Sequence, residues 1–319
     1  MAKTLKIGTR GSALALAQAN QVKSALEKAH AGLSCELVVI KTTGDEPASY
    51  KQGEVALKGL FVKEIEEALL NRQIDLAVHS VKDLEVDFPA GLTFGAILKR
   101  EDPRDALVME KGQTLQSLPA GTKIAAGSVR RQAQLKRMRR DLEFVPVRGN
   151  VDTRLKKLEA QEFGALVLAA CGLIRLGLKE RITEYLHPAQ VVPCPGQGAL
   201  GIEIRQEDEG TSSLAAVLDH PDSHWEVKAE RAFLKALGGS CDIPLGALAI
   251  AEGENLTIFG TVLSPDGQKA IRNELSGPKR SAERLGKELA SHVRAAGSDR
   301  LLYGAWSTRR ETGEWSAKK

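Results

Sequence analysis

Aromatic residues are scarce, at 4% of 319 residues, with three tryptophans, three tyrosines and seven phenylalanines. That scarcity argues against a platform that stacks nucleic-acid bases. Cysteine is scarce too. Cys35, Cys171, Cys194 and Cys241 stand apart with no CxxC pair and no adjacent histidine cluster, which indicates neither a zinc site nor a disulfide framework. No metal is expected, and any special cysteine acts alone. No segment offers about 18 uninterrupted apolar residues for a membrane span, and MAKTLKIGTR has no apolar run for a signal peptide, so a cytoplasmic protein without membrane partners is expected. No GxxxxGK[ST] phosphate loop, internal repeat or low-complexity tract occurs.

What is present is average for a folded globular chain: 42% hydrophobic and 27% charged residues. The length predicts two or three compact units. Apolar runs of strand length alternate with helix-period segments: LKIGT, SALALAQANQVKSALEKAH, CELVVIKTT, LFVKEIEEALLNRQ and IDLAVHSV. This βαβα order predicts a mostly parallel sheet covered by helices. A second series follows the REDPRD turn, through DALVM, TKIAAGS, a helix over RRQAQLKRMRRD, EFVPVRG, a helix over VDTRLKKLEAQEF, and GALVLAA. The Pro- and Gly-rich VVPCPGQGALGIEIR reads as a return segment between units and not as the interior of an element. Beyond His220-Pro221 the order changes to a helix, strands such as GALAIA and LTIFGTVL, and a final helix, which predicts a smaller α+β unit.

The net charge is only +4, but arginines bunch at positions 130, 131, 137, 139, 140, 148 and 154. Open α/β sheets bind ligands at the carboxyl ends of their strands, where helix N-termini favour anions. Arg10 and Ser12 follow LKIGT; Ser80, Lys82 and Asp83 follow IDLAV; Ser128, Arg130 and Arg131 follow TKIAA; Arg148 follows EFVPV. One such residue alone reads as a solvated charge, and Ser12 and Ser128 also read as helix N-caps. Repeated at several strand ends, forked guanidiniums point to a polycarboxylate ligand. Asp83 reads either as a carboxylate that steadies positive charge on a substrate or as a salt bridge to Lys82 or Arg104. His79 reads as a packed core histidine. Cys241, in ALGGSCDIPLG, is on a tight Gly- and Pro-bearing turn and is the candidate nucleophile. Cys35 and Cys171 read as core, and Cys194 as loop filling.

Over almost its full length the chain resembles the hydroxymethylbilane synthase (porphobilinogen deaminase) family. The resemblance is carried by IGTRGSALALAQA, KGLFVKEIEEALL, DLAVHSVKDL, REDPRDALV, SVRRQAQL, VRGNVDTRL, GLIRLGL, PGQGALGIE, AERAFL and GGSCDIPLG in that order. It implies a monomeric transferase of tetrapyrrole, porphyrin and haem biosynthesis, with no nucleic-acid partner. The implied fold is α/β: two periplasmic-binding-protein-like α/β domains flanking the active cleft, plus a smaller α+β C-terminal domain. The corresponding bounds are 1–98 with 197–217, then 99–196, then 218–319. It further implies a dipyrromethane cofactor joined by a thioether to Cys241, onto which four porphobilinogens are condensed with loss of ammonia before hydrolysis releases the linear tetrapyrrole. Asp83 matches the catalytic aspartate. Lys58, Ser80, Lys82, Asp83, Ser128, Arg130 and Arg131 match positions that hold the cofactor. Arg10, Ser12, Phe61, Arg148, Arg154, Arg175 and Gln197 match substrate-binding positions, and residues 43–57 match a mobile lid.

The chain departs from the family pattern in three places. Ala125, Ala126 and Gly127 precede Ser128 where a Gly-Thr-Ser-Ser run is usual, Ala56 and Leu57 replace paired glycines before KGLF, and Glu85 stands where proline is common. The missing hydroxyls leave two expectations. Restoring them at positions 126 and 127 tightens carboxylate binding, or a positive φ at Gly127 makes serine strained there. A non-catalytic anion-binding module and a nucleic-acid-binding regulator are the competing readings. Cys241 with Asp83 opposes the first, and the placement of arginines at strand ends opposes the second.

Overall fold

The computed structural model describes residues 4–45, 62–238 and 243–302. The chain begins with β1 (Thr4–Thr9), α1 (Ala13–Ala29), β2 (Ser34–Val39), α2 (Lys63–Leu70), β3 (Leu76–Ser80) and β4 (Leu92–Ile97). It continues with β5 (Asp105–Met109), β6 (Lys123–Ala125), α3 (Val129–Met138), β7 (Glu143–Val145), α4 (Val151–Glu159), β8 (Ala165–Ala169), α5 (Ala170–Arg175) and β9 (Glu184–Tyr185). The last part comprises β10 (Leu200–Arg205), α6 (Glu209–Ala216), α7 (Pro221–Ala236), β11 (Leu245–Glu252), β12 (Asn255–Leu263), β13 (Ala270–Pro278) and α8 (Ala282–Ala295). Contacts divide the chain into one unit of residues 1–102 and 196–227 and a second of 103–195 and 228–319.

The first unit holds a five-stranded sheet in the order β2-β1-β3-β10-β4. Strands β2, β1 and β3 run parallel, and β10 runs antiparallel to both of its neighbours. Helix α1 buries Gln18, Ala19, Val22 and Leu26, spaced to form one stripe. Its apolar members Ala19, Val22 and Leu26 join Leu5, Ile7, Leu76 and Ile202 in a core, while Ile65, Leu69, Ile74 and Leu92 form a separate cluster with Phe88 packed against it. The β10 segment corrects the sequence reading: LGIEIR is not a mere return but a strand inside the sheet, with all six residues buried. Gly198, just before it, has φ +92°, and a Cβ there would lie 2.3 Å from the Glu101 carbonyl oxygen, so only glycine fits.

The second unit repeats the plan in a sheet ordered β7-β6-β8-β5-β9. Here β7, β6 and β8 are parallel, and β5 runs antiparallel to β8 and β9. Both β5 and β8 are buried at all five positions, as covering on both faces requires. In each sheet the fourth place is taken by an antiparallel strand that the chain enters just after crossing between units. The same unit contains the antiparallel sheet β11-β12-β13, on which α8 packs. The sheet's third strand, AIRNELSGP, goes beyond the strands read from the sequence.

Candidate active site

In the first unit β1 and β3 are parallel neighbours, so the residues that follow them emerge at the same end of the sheet. Ser12 caps α1, its Oγ accepting from the Ala15 N–H at 3.3 Å. Ser80 ends β3, and a single 3-10 turn, Val81–Asp83, carries Lys82 and Asp83. Arg10, Ser12, Gln18, Ser80 and Asp83 line one pocket. Gln18, buried on α1, donates from Nε2 to Ser80 Oγ at 2.9 Å. Leu200, the first residue of the antiparallel β10, lies beside Ser80, which brings fully buried Gln197 to the same end. Its Oε1 accepts from Lys82 Nζ at 3.3 Å and its carbonyl accepts from Arg100 Nε at 2.9 Å.

Asp83 is exposed and forms no ion pair among the described residues. Neither salt bridge considered for it is present. Arg104 instead stacks 4.0 Å from the Tyr185 ring centroid. His79 is the packed core histidine that the sequence suggests: its Nε2 lies 2.9 Å from Glu203 Oε2, with side chains 4% and 0% exposed. The two groups meet without hydrogen-bond alignment. Burial, reinforced by the Glu203 charge, pushes the Glu66 carboxyl up to about 7.

In the second unit Ala125 and Ala126 are fully buried, and Gly127 and Ser128 lead from β6 into α3. Gly127 does not have the positive φ considered above. Its constraint is steric: a Cβ would lie 2.8 Å from the Val147 carbonyl oxygen. Ser128 holds the N-cap position with no side-chain cap bond. Arg130 and Arg131, in the first turn of α3, are only 3% and 7% exposed and both grip Asp105, which is 0% exposed. Arg148 is exposed after β7, with Gly149 at φ +104°. Half-buried Arg154, in the first turn of α4, donates from Nε to the Gly149 carbonyl at 2.7 Å. Half-buried Arg175 closes α5, directly after β8.

The Nε of Arg130 is buried with no hydrogen-bond partner among the described residues. That N–H, together with the cations Arg10, Lys82, Arg148, Arg154 and Arg175 at strand ends, is a set of donors that fits a polycarboxylate. Lys58, Phe61, Cys241 and residues 46–57 of the lid segment lie outside the described residues. Cys35 and Cys171 are buried and Cys194 is half-buried. No described helix is long and apolar enough to cross a membrane, and the described residues hold no group of three or more His, Cys, Asp or Glu side chains suited to a metal ion. Sequence reasoning did not single out Gln18, Glu66, Asp105 or Glu203. A polar residue at a core position of an apolar stripe or strand was the available signal for Gln18 and Glu203.

A TRAP periplasmic solute binding protein from Desulfovibrio salexigens superposes with a TM-score of 0.41 at 11% identity, covering 94% of this chain and 80% of its own, a likeness too loose to support an argument. Sequence relatives are far closer. The porphobilinogen deaminase of Geotalea uraniireducens is 47% identical over 94% of both chains. That of Syntrophotalea carbinolica is 49% identical over 93% of this chain and 95% of its own. Residues 5–213 match the family model "Porphobilinogen deaminase, dipyromethane cofactor binding domain", and residues 224–295 match the C-terminal domain of the same enzyme. With the pocket around Asp83 and the buried arginines in place, these matches show that the chain belongs to the porphobilinogen deaminase family, the transferases that make hydroxymethylbilane on a dipyrromethane cofactor.

Proposed function

We propose that Asp83 is the catalytic carboxylate of this transferase and that Cys241 carries the dipyrromethane through a thioether. One observation carries the reading. Asp83 is exposed, free of any ion pair among the described residues, and shares a pocket with Arg10, Ser12 and Ser80. A carboxylate neutralised by a neighbouring cation would have little field left for a substrate. Asp83 keeps its charge available to stabilise the cation left when porphobilinogen loses ammonia. When bound, the dipyrromethane supplies the pyrrole carbon to which the first porphobilinogen is joined.

The chain's own groups then divide the work. Lys58, Ser80, Lys82, Ser128, Arg130 and Arg131 hold the acidic side chains of the cofactor. Arg10, Ser12, Phe61, Arg148, Arg154, Arg175 and Gln197 bind and orient porphobilinogen. Guanidiniums suit this task because they stay charged and pair with carboxylates through two parallel bonds. We assign the domains to 1–98 with 197–217, 99–196 and 218–319, and place a monomer in the cytoplasm with no nucleic-acid partner. Burial of Arg130 and Arg131 supports that last point by removing two cations from the helix face that a nucleic acid would meet.

Intact mass and peptide mapping of purified protein test the attachment. The expected adduct is on Cys241 alone, and Cys241→Ser is expected to lack both adduct and activity. An active protein with an unmodified Cys241 would refute the assignment.

A further inference from the structure

Adjacent guanidiniums on one helical turn repel each other, and burying both needs an acid. Asp105 is that acid, and topology puts it there. It opens β5, and because β5 runs antiparallel to β8 its first residue lies beside Ala169, at the carboxyl end of β8. Its Oδ1 accepts from Arg131 Nε at 2.9 Å and Nη2 at 2.7 Å, and its Oδ2 accepts from Arg130 Nη1 at 2.7 Å. Arg130 Nη1 also donates to the Val192 carbonyl at 2.7 Å. Gln134 braces Val192 from both sides, its Nε2 donating to that carbonyl at 3.0 Å and its Oε1 accepting from the Val192 N–H at 2.8 Å. Burial raises the Asp105 carboxyl, but the two guanidiniums outweigh it and hold the group well below the usual carboxylate range.

We propose that Asp105 is a positioning residue for the reaction: it fixes both guanidinium planes, cancels one of their two charges, and turns the Nε–H edge of Arg130 toward a carboxylate of the cofactor or substrate. The trio Arg130, Asp105 and Arg131 then carries one net positive charge, suited to a single carboxylate. Asp105 touches no ligand and acts through the arginines. The proposal rests on the reading that Arg130 binds those carboxylates.

Two full-length variants test it. Asp105→Glu keeps the counter-charge but moves it by one methylene, and the double change Asp105→Asn, Arg131→Met removes one charge of each sign. Each is measured by thermal melting, by the fraction of chains carrying the covalent adduct in the intact mass, and by kcat and KM for porphobilinogen. A variant that melts cooperatively is expected to lose adduct or gain KM by about tenfold, the scale of one charged hydrogen bond, with kcat less affected. A folded variant whose adduct fraction and KM both stay within about twofold of the parent overturns the proposal. Collapse of both variants overturns it too, because a counter-ion needed only for folding gives that result. Arg130→Gln separates the two layers. Parental adduct and KM in that variant refute Arg130 as a ligand contact, whereas an impaired Arg130→Gln beside parental Asp105 variants refutes the positioning role alone.

Discussion

The two five-stranded sheets share one plan, three parallel strands followed by an antiparallel strand and an edge, yet they handle charge at their strand ends in opposite ways. In the first unit the acid, Asp83, is exposed without an ion pair among the described residues, in a pocket it shares with Arg10. In the second the acid, Asp105, is enclosed by Arg130 and Arg131. A carboxylate left to water keeps its charge for a substrate. One that is buried between cations spends its charge on placing them. On the roles proposed for them, the same topology serves chemistry at one strand end and recognition at the other.

Asp105→Ala breaks this contrast most severely, since it leaves two buried guanidiniums without their acid. A loss of about 3–5 kcal/mol is expected in urea unfolding, and a loss under about 1 kcal/mol would mean that the arginines rearrange to water. Restoring the family hydroxyls with Ala126→Thr and Gly127→Ser comes next. Ala126 is fully buried and a Cβ on residue 127 meets the Val147 carbonyl, so overpacking should cost about 1–3 kcal/mol. A lowered melting temperature is therefore expected in place of tighter substrate binding, and a lower KM with unchanged melting would contradict this.

The smallest effect concerns Glu66. Its carboxyl is raised to about 7 in the folded chain, so the folded state holds the proton more tightly than the unfolded one. Stability from this group is present below the ordinary carboxylate range and is lost as pH rises through about 7. Glu66→Gln should flatten the change in melting temperature between about pH 5 and 8 and should be the more stable protein at the upper end. An unchanged slope would remove Glu66 from the account of that face.

Much of this contrast is legible in the sequence. IGTRGS, AVHSVKD and AAGSVRR announce strand-to-helix junctions, and the structure places their polar residues at the expected ends. His79 and the Ser12 cap follow from local pattern alone. The identity of β10 does not, because LGIEIR becomes a sheet strand only by inserting between β3 and β4, a pairing across more than a hundred residues. Strand β13 is an exposed edge, and AIRNELSGP lacks the apolar alternation that marks a strand. Asp105 reads as one more charge in the REDPRD turn. Only the antiparallel entry of β5 puts it beneath the arginines, and nothing local in the sequence encodes that placement.

The division between a chemical acid and a placing acid is tested most directly by the mass spectrum of Asp83→Ala before and after porphobilinogen is added. The variant should melt like the parent and carry the adduct, since Asp83 is exposed and forms no ion pair among the described residues. Its added-pyrrole species should then form about 10²–10³ times more slowly than in the parent. Growth of those species at the parental rate would contradict the role given to Asp83.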